Sequence, residues 1–70
     1  MENKLEELRS KRGWTQQELA ERVGVSRQTI ISLERGRYNP SIQLAFRLAY
    51  QFGVRVEELF IYSEEEDYHA

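Results

Sequence analysis

Arg27, Gln28, Thr29 and Ser32 place a guanidinium, a primary amide and two hydroxyls within one short stretch that begins behind Ser26. Their chemistry is pattern reading by hydrogen bonds. An arginine fork bonds guanine O6 and N7 together, and a glutamine amide does the same for adenine N6 and N7. That chemistry requires the four side chains to stand on the outer face of a helix that fits a DNA groove. The plain alternative is a polar face on a surface helix, and the surrounding residues decide between the two.

Those residues supply a helix for the four and a second helix in front of it. Thr15 is an N-cap, Glu18 three positions on can reach back to the Thr15 backbone N–H, and Trp14 can pack on Leu19 across the cap. Leu19, Ala20 and Val23 then share one face at helical spacing, and Gly24 stops the helix. Ser26 caps the restart, Ile30 and Leu33 repeat at i, i+3, and Gly36 ends it. Two helices joined by a short glycine-containing turn form a helix-turn-helix.

The stretch Thr15 to Asn39, with QQELAERVGVSRQTIISLERG at its centre, resembles the phage repressor and Cro type helix-turn-helix family, also called the xenobiotic response element (XRE) family. The likeness runs from about Asn3 to Phe60 and rests on Q-x-E-L-A, V-G-V-S and I-x-x-L-E-x-G. It implies an all-α, compact five-helix, lambda-repressor-like DNA-binding domain over residues 1–60, followed by a short acidic tail over 61–70. It also implies an ion pair between Arg9 and Glu34, and phosphate contacts from Arg35, Arg37, Tyr38 and Asn39 behind the recognition helix. Two solvated charges that never meet are the alternative for Arg9 and Glu34.

Gln16 and Ser26 stand at helix starts, where backbone N–H groups and short polar side chains bind phosphate; each also has an ordinary structural job there. Lys11 and Arg12 close the first helix, expected over Glu2 to Arg12, and either touch flanking phosphates or are simply solvated. Ser41 caps a fourth helix reaching Phe52, with Ile42, Ala45, Leu48, Ala49 and Phe52 on its core face. Leu44, Phe46 and Tyr50 lie off that stripe, and a partly exposed set of this kind suits a subunit interface. A fifth helix is expected from Val56 to Phe60, with Arg55 at its N-cap in place of the family's small hydroxyl residue. Phe60, Ile61 and Tyr62 can extend as a strand that pairs with a symmetry mate, or fray. No convincing sheet is expected.

Seventy residues make one small domain, and a core of that size gains from a partner. There is no cysteine for a disulfide or a thiolate zinc site. The net charge of −2 is not the basic footprint of a DNA-binding protein. Its distribution alters that reading. Ten bases and six acids lie at or before Arg55, a surplus of four positive charges, whereas six acids and no base follow from Val56. Such polarity orients one end of the molecule toward phosphate.

His69 is the single histidine and lies beside the C-terminus, and Glu64 to Asp67 lack the spacing and glycine of a calcium loop. No phosphate loop, dinucleotide fingerprint or nucleophile elbow is present, so no metal, cofactor or catalysis is expected. The expectation is a cytoplasmic, homodimeric transcriptional repressor that binds double-stranded DNA, has no membrane association, and reads a near-palindromic operator in the major groove. Phe60, Ile61 and Tyr62 are its expected dimer contacts. The alternative is an antitoxin-like interaction module whose acidic tail engages a protein partner, with DNA binding secondary.

Overall fold

Every helix boundary in the central unit follows from a local satisfaction of backbone groups. The computed structural model describes residues 1–63 and orders them as β1 (Glu2–Asn3), α1 (Leu5–Arg12), α2 (Gln16–Val23), α3 (Arg27–Glu34), α4 (Ile42–Phe52), α5 (Val56–Leu59) and β2 (Phe60–Ile61). Thr15 Oγ1 accepts from the Glu18 N–H at 3.0 Å while Glu18 Oε1 accepts from the Thr15 N–H at 2.9 Å, so two otherwise orphaned donors at the start of α2 are met. The same backbone bond, followed by that to the Thr15 hydroxyl, holds the Glu18 carboxyl below its ordinary pKa. Ser26 and Ser41 cap α3 and α4 in the simpler way, accepting from Thr29 and Leu44. Arg55 has no hydroxyl to offer, and Glu58 compensates by accepting from the Arg55 N–H at 3.0 Å.

Helices α2 and α3 pack on each other, and α4 closes the core beneath them with α1 and α5. Leu5, Leu19, Ile30, Leu33, Leu48 and Leu59 are fully buried, one or more from each helix, so the core joins all five. Trp14 stacks at a tilt on Phe52 with ring centroids 5.6 Å apart, and Arg22 lies 4.1 Å over the indole.

The chain departs from the sequence expectations at both ends. The first helix begins at Leu5, not Glu2, because Glu2–Asn3 is drawn into an antiparallel ladder with Phe60–Ile61. A small sheet therefore exists where none was expected, and the strand at Phe60 pairs with the chain's own N-terminal segment. Phe60 is correspondingly a strand residue whose side chain is buried in the core, Ile61 is half-buried, and Tyr62 is exposed. Within α4, Leu44 is buried and Ile42 is 78% exposed, the reverse of the expected assignment. Both fit a helical stripe, and the buried cluster takes in Leu44 while leaving Ile42 outside.

Asn3 does more than pair in the ladder. Its amide donates to the Leu33 carbonyl at 2.7 Å and its Oδ1 accepts from the Leu5 N–H at 3.1 Å, so one side chain starts α1 and holds the end of α3. Gly36 follows at φ 70°, with Met1 O only 2.9 Å from where a β-carbon would stand. Gly36→Ala is expected to cost about 1–3 kcal/mol from the left-handed backbone alone. A denaturation midpoint equal to that of the parent protein would show that this turn relaxes freely.

Candidate nucleic-acid interface

The candidate recognition surface is the outside of α3. With Ile30 and Leu33 turned into the core, successive steps of 100° carry Gln28, Ile31, Ser32 and Arg35 to the opposite side, with Arg27 at its flank. Arg27, Gln28 and Arg35 are exposed, and Thr29, Ile31 and Ser32 are half-buried. Of the four residues expected to read bases, three are therefore on or beside the outer row. Thr29 is committed closer to the helix start, where its hydroxyl shares a 2.9 Å hydrogen bond with Ser26 Oγ. Ile31 was missed by sequence reasoning. The signal was its i+3 spacing from Gln28 and its place one residue outside the Ile30 and Leu33 stripe; an apolar side chain there suits a thymine methyl.

What holds this helix at a set angle is a buried ionic junction. Glu34 exposes 4% of its side chain, and its carboxylate accepts from Arg9 Nε at 2.6 Å, Arg9 Nη2 at 3.3 Å and Gln16 Nε2 at 3.1 Å. Arg9 Nη1 also donates to the Trp14 carbonyl at 2.8 Å. The hydrogen bond to Glu34 raises the Arg9 pKa above its ordinary value, so the junction favours the charged guanidinium. One junction thus ties α1, the loop before α2, the first residue of α2 and the last residue of α3. Gln16 is engaged there through its side chain, and its backbone N–H stands in the first turn of α2, where helix N–H groups have no partner within the helix.

Behind α3 the loop is fixed by backbone bonds. Gly36 N–H donates to Leu33 O at 2.9 Å and Arg37 N–H to Ser32 O at 3.0 Å, while the Arg35, Arg37, Tyr38 and Asn39 side chains remain exposed. All four carry a charge or a hydrogen-bonding group into solvent beside the end of α3. At the end of α1, Arg12 is held by the Phe52 carbonyl at 3.0 Å and stands over Trp14, and Lys11 pairs with Glu7 at 3.6 Å. Both have an intramolecular partner.

The acidic tail residues Glu64 to Asp67 and His69 lie outside the described residues. Among the described residues, no helix is long and apolar enough to cross a membrane.

Comparison with known proteins agrees with this geometry. A helix-turn-helix family model matches residues 5–59. An uncharacterized helix-turn-helix-type transcriptional regulator of Methanocaldococcus jannaschii is 52% identical over 66 residues, covering 94% of this chain and all of that one. The immunity repressor protein of Bacillus phage phi105 is 33% identical over 96% of this chain and 50% of its own length. Among solved structures, the restriction-modification controller protein C.AhdI from Aeromonas hydrophila superposes with a TM-score of 0.74 at 35% identity, over 81% of this chain and 86% of that one. The capped helix pair, the exposed row on α3 and these likenesses together place the chain in the phage repressor and Cro type (XRE) family of helix-turn-helix transcriptional regulators.

Proposed function

We propose that the protein is a homodimeric repressor in the cytoplasm that sets one α3 in each of two successive major grooves of a near-palindromic operator. The observation that carries this reading is the exposed row of α3, anchored at its far end by the Arg9–Glu34–Gln16 junction. A single short helix makes too few base contacts for selective binding. Two copies related by a twofold axis double them and require half-sites about 34 Å apart. Occupied DNA is closed to other proteins, and the phage phi105 relative bears the name of a repressor. Its activity is binding, not catalysis.

In this reading Arg27, Gln28, Ile31 and Ser32 meet base edges, and Thr29, expected among them, supports the helix start through Ser26. Gln16, Ser26, Arg35, Arg37, Tyr38 and Asn39 hold phosphate, and Phe60, Ile61 and Tyr62 border the dimer contact. Selection of bound duplexes from a random pool tests it. The expected product is an inverted repeat with half-site centres one helical turn apart. Enrichment of a lone half-site, or of no sequence, would overturn it.

Two substitutions separate the roles. Gln28→Ala is expected to lose about 1–3 kcal/mol on the selected operator and almost nothing on random duplex, because only a base contact depends on sequence. Equal losses on both would remove Gln28 from base reading. Arg37→Ala is expected to weaken both DNAs alike and to reduce the salt slope by about one, since one fewer phosphate is neutralised. An unchanged slope would place Arg37 off the backbone.

A further inference from the structure

The last turn of α3 is not closed by its own side chains. No basic residue stands in it to meet the final carbonyls. Leu33 O accepts from the Gly36 N–H at 2.9 Å and takes a second donor from outside the helix, the Asn3 side-chain amide at 2.7 Å. That amide is fully engaged. Its other N–H bond goes to Met1 O at 3.2 Å, and its Oδ1 accepts from the Leu5 N–H at 3.1 Å. Among side chains only an amide offers two donors and an acceptor without charge.

Asn3 is also held in place, because its backbone pairs with Phe60 and the N–H of Lys4 behind it donates to Leu59 O at 2.9 Å. Leu59 and Phe60 both belong to the buried core. An anchor fixed in this way grips the main chain of α3 directly. The Arg9–Glu34 junction, one residue on, acts through side-chain torsions and so constrains the backbone less.

We propose that Asn3 is a positioning residue for DNA binding: its amide, bonded to Leu33 O, sets the turn that aims Arg35 and Arg37 at phosphate. The inference rests on the phosphate reading of that loop given above. Gly36 turns the chain at φ 70°, and the Arg37 N–H returns to Ser32 O at 3.0 Å, so a tilt at Leu33 reaches Arg37 within one turn. Ser32 carries that bond and stands on the outer row of α3. The base-reading row and the phosphate loop are thus registered by a residue that belongs to neither. Without the Asn3 bond the loop samples other conformations and has to be ordered when DNA arrives. The resulting loss is bounded by the strength of the bond itself, up to about tenfold in affinity.

Asn3→Ser tests the assignment, with circular dichroism to check folding. Serine is neutral and can still accept from the N–H two residues on, but it is one bond shorter and has one proton where asparagine has two. In the free protein, hydrogen exchange of the Gly36 and Arg37 N–H groups is expected to quicken about tenfold, with α2 unchanged. On the selected operator Asn3→Ser is expected to bind up to about tenfold more weakly. Arg37→Ala is then expected to cost less affinity in the Asn3→Ser background than in the parent protein, because its contact is already loosened. A residue that served stability alone would give additive costs. Asn3→Asp, which keeps the acceptor and loses both donors, takes the same measurements if Asn3→Ser does not fold. The unaltered protein supplies one further measurement, since one Asn3 side-chain amide proton is expected to exchange slowly. Additive costs, unchanged exchange at Gly36 and Arg37, or rapid exchange of both Asn3 amide protons would each overturn the positioning role and leave the phosphate reading standing. Arg37→Ala without effect on any DNA would overturn the phosphate reading of this loop, and the role of Asn3 with it.

Discussion

Arg9→Ala is expected to destabilise the fold by about 3–5 kcal/mol, the cost of leaving a buried carboxylate without its cation. Glu34 keeps 4% of its side chain in water and would retain only the Gln16 amide as a partner, so little solvent is at hand to replace the guanidinium. The Trp14 carbonyl loses its donor in the same substitution. A domain of this size has total stability of the same order as the loss, so the variant is expected to be largely unfolded at ambient temperature. Removing both charges behaves differently, because the desolvation cost leaves with the pair. Arg9→Met combined with Glu34→Leu is expected to recover most of the loss. Urea denaturation of Arg9→Met, Glu34→Leu and the double completes the cycle. A cost below about 1 kcal/mol for Arg9→Ala would mean that the pair acts as an exposed salt bridge despite its burial.

Ile30→Ala is expected to cost about 2–5 kcal/mol, as a fully buried branched side chain leaves a cavity between α3 and the core. The neighbouring Ile31 provides the control, since it lies on the outer row, half-buried, one residue and 100° away. Ile31→Ala is expected to leave the denaturation midpoint nearly unchanged and to lower affinity for the selected operator. Binding measurements alone would blur this contrast. Operator at a hundred times its dissociation constant returns about 2.7 kcal/mol to the folded state, enough to mask much of the Ile30 loss. Stability therefore has to be measured without DNA. Equal midpoints for the two alanine variants would show that α3 does not dock through Ile30.

The contrast between Ile30 and Ile31 also shows what the sequence reveals and what it hides. Thr15, Ser26 and Ser41 are legible as caps because a cap is completed by residues three positions away. The five helices are legible for a related reason, as apolar spacing and glycine stops are local. Arg9 and Glu34 came from likeness to a family, since no rule of spacing joins residues on different helices. The two-stranded ladder was not legible at all: Glu2, Glu6 and Glu7 look like the acidic first turns of a helix, and nothing near them in sequence announces Phe60 as a partner. Ile42 and Leu44 were exchanged because both suit a helical stripe, and only the packing of neighbouring helices distinguishes them. Gln16 has a side chain that suits phosphate and a place that suits Glu34, and the hydrogen bond goes to Glu34.

Asn3 has a consequence for the order in which the molecule assembles. Its backbone pairs with Phe60 and its side chain holds Leu33, so it closes a loop that spans nearly the whole described chain. Closing so long a loop costs more chain entropy than forming any of the helix pairs, and it becomes favourable only once the core has brought Leu59 and Phe60 near. The helices can nucleate and pack early. The clasp at the far end of the recognition helix is then among the last contacts to form, and the first to be released when the protein begins to unfold.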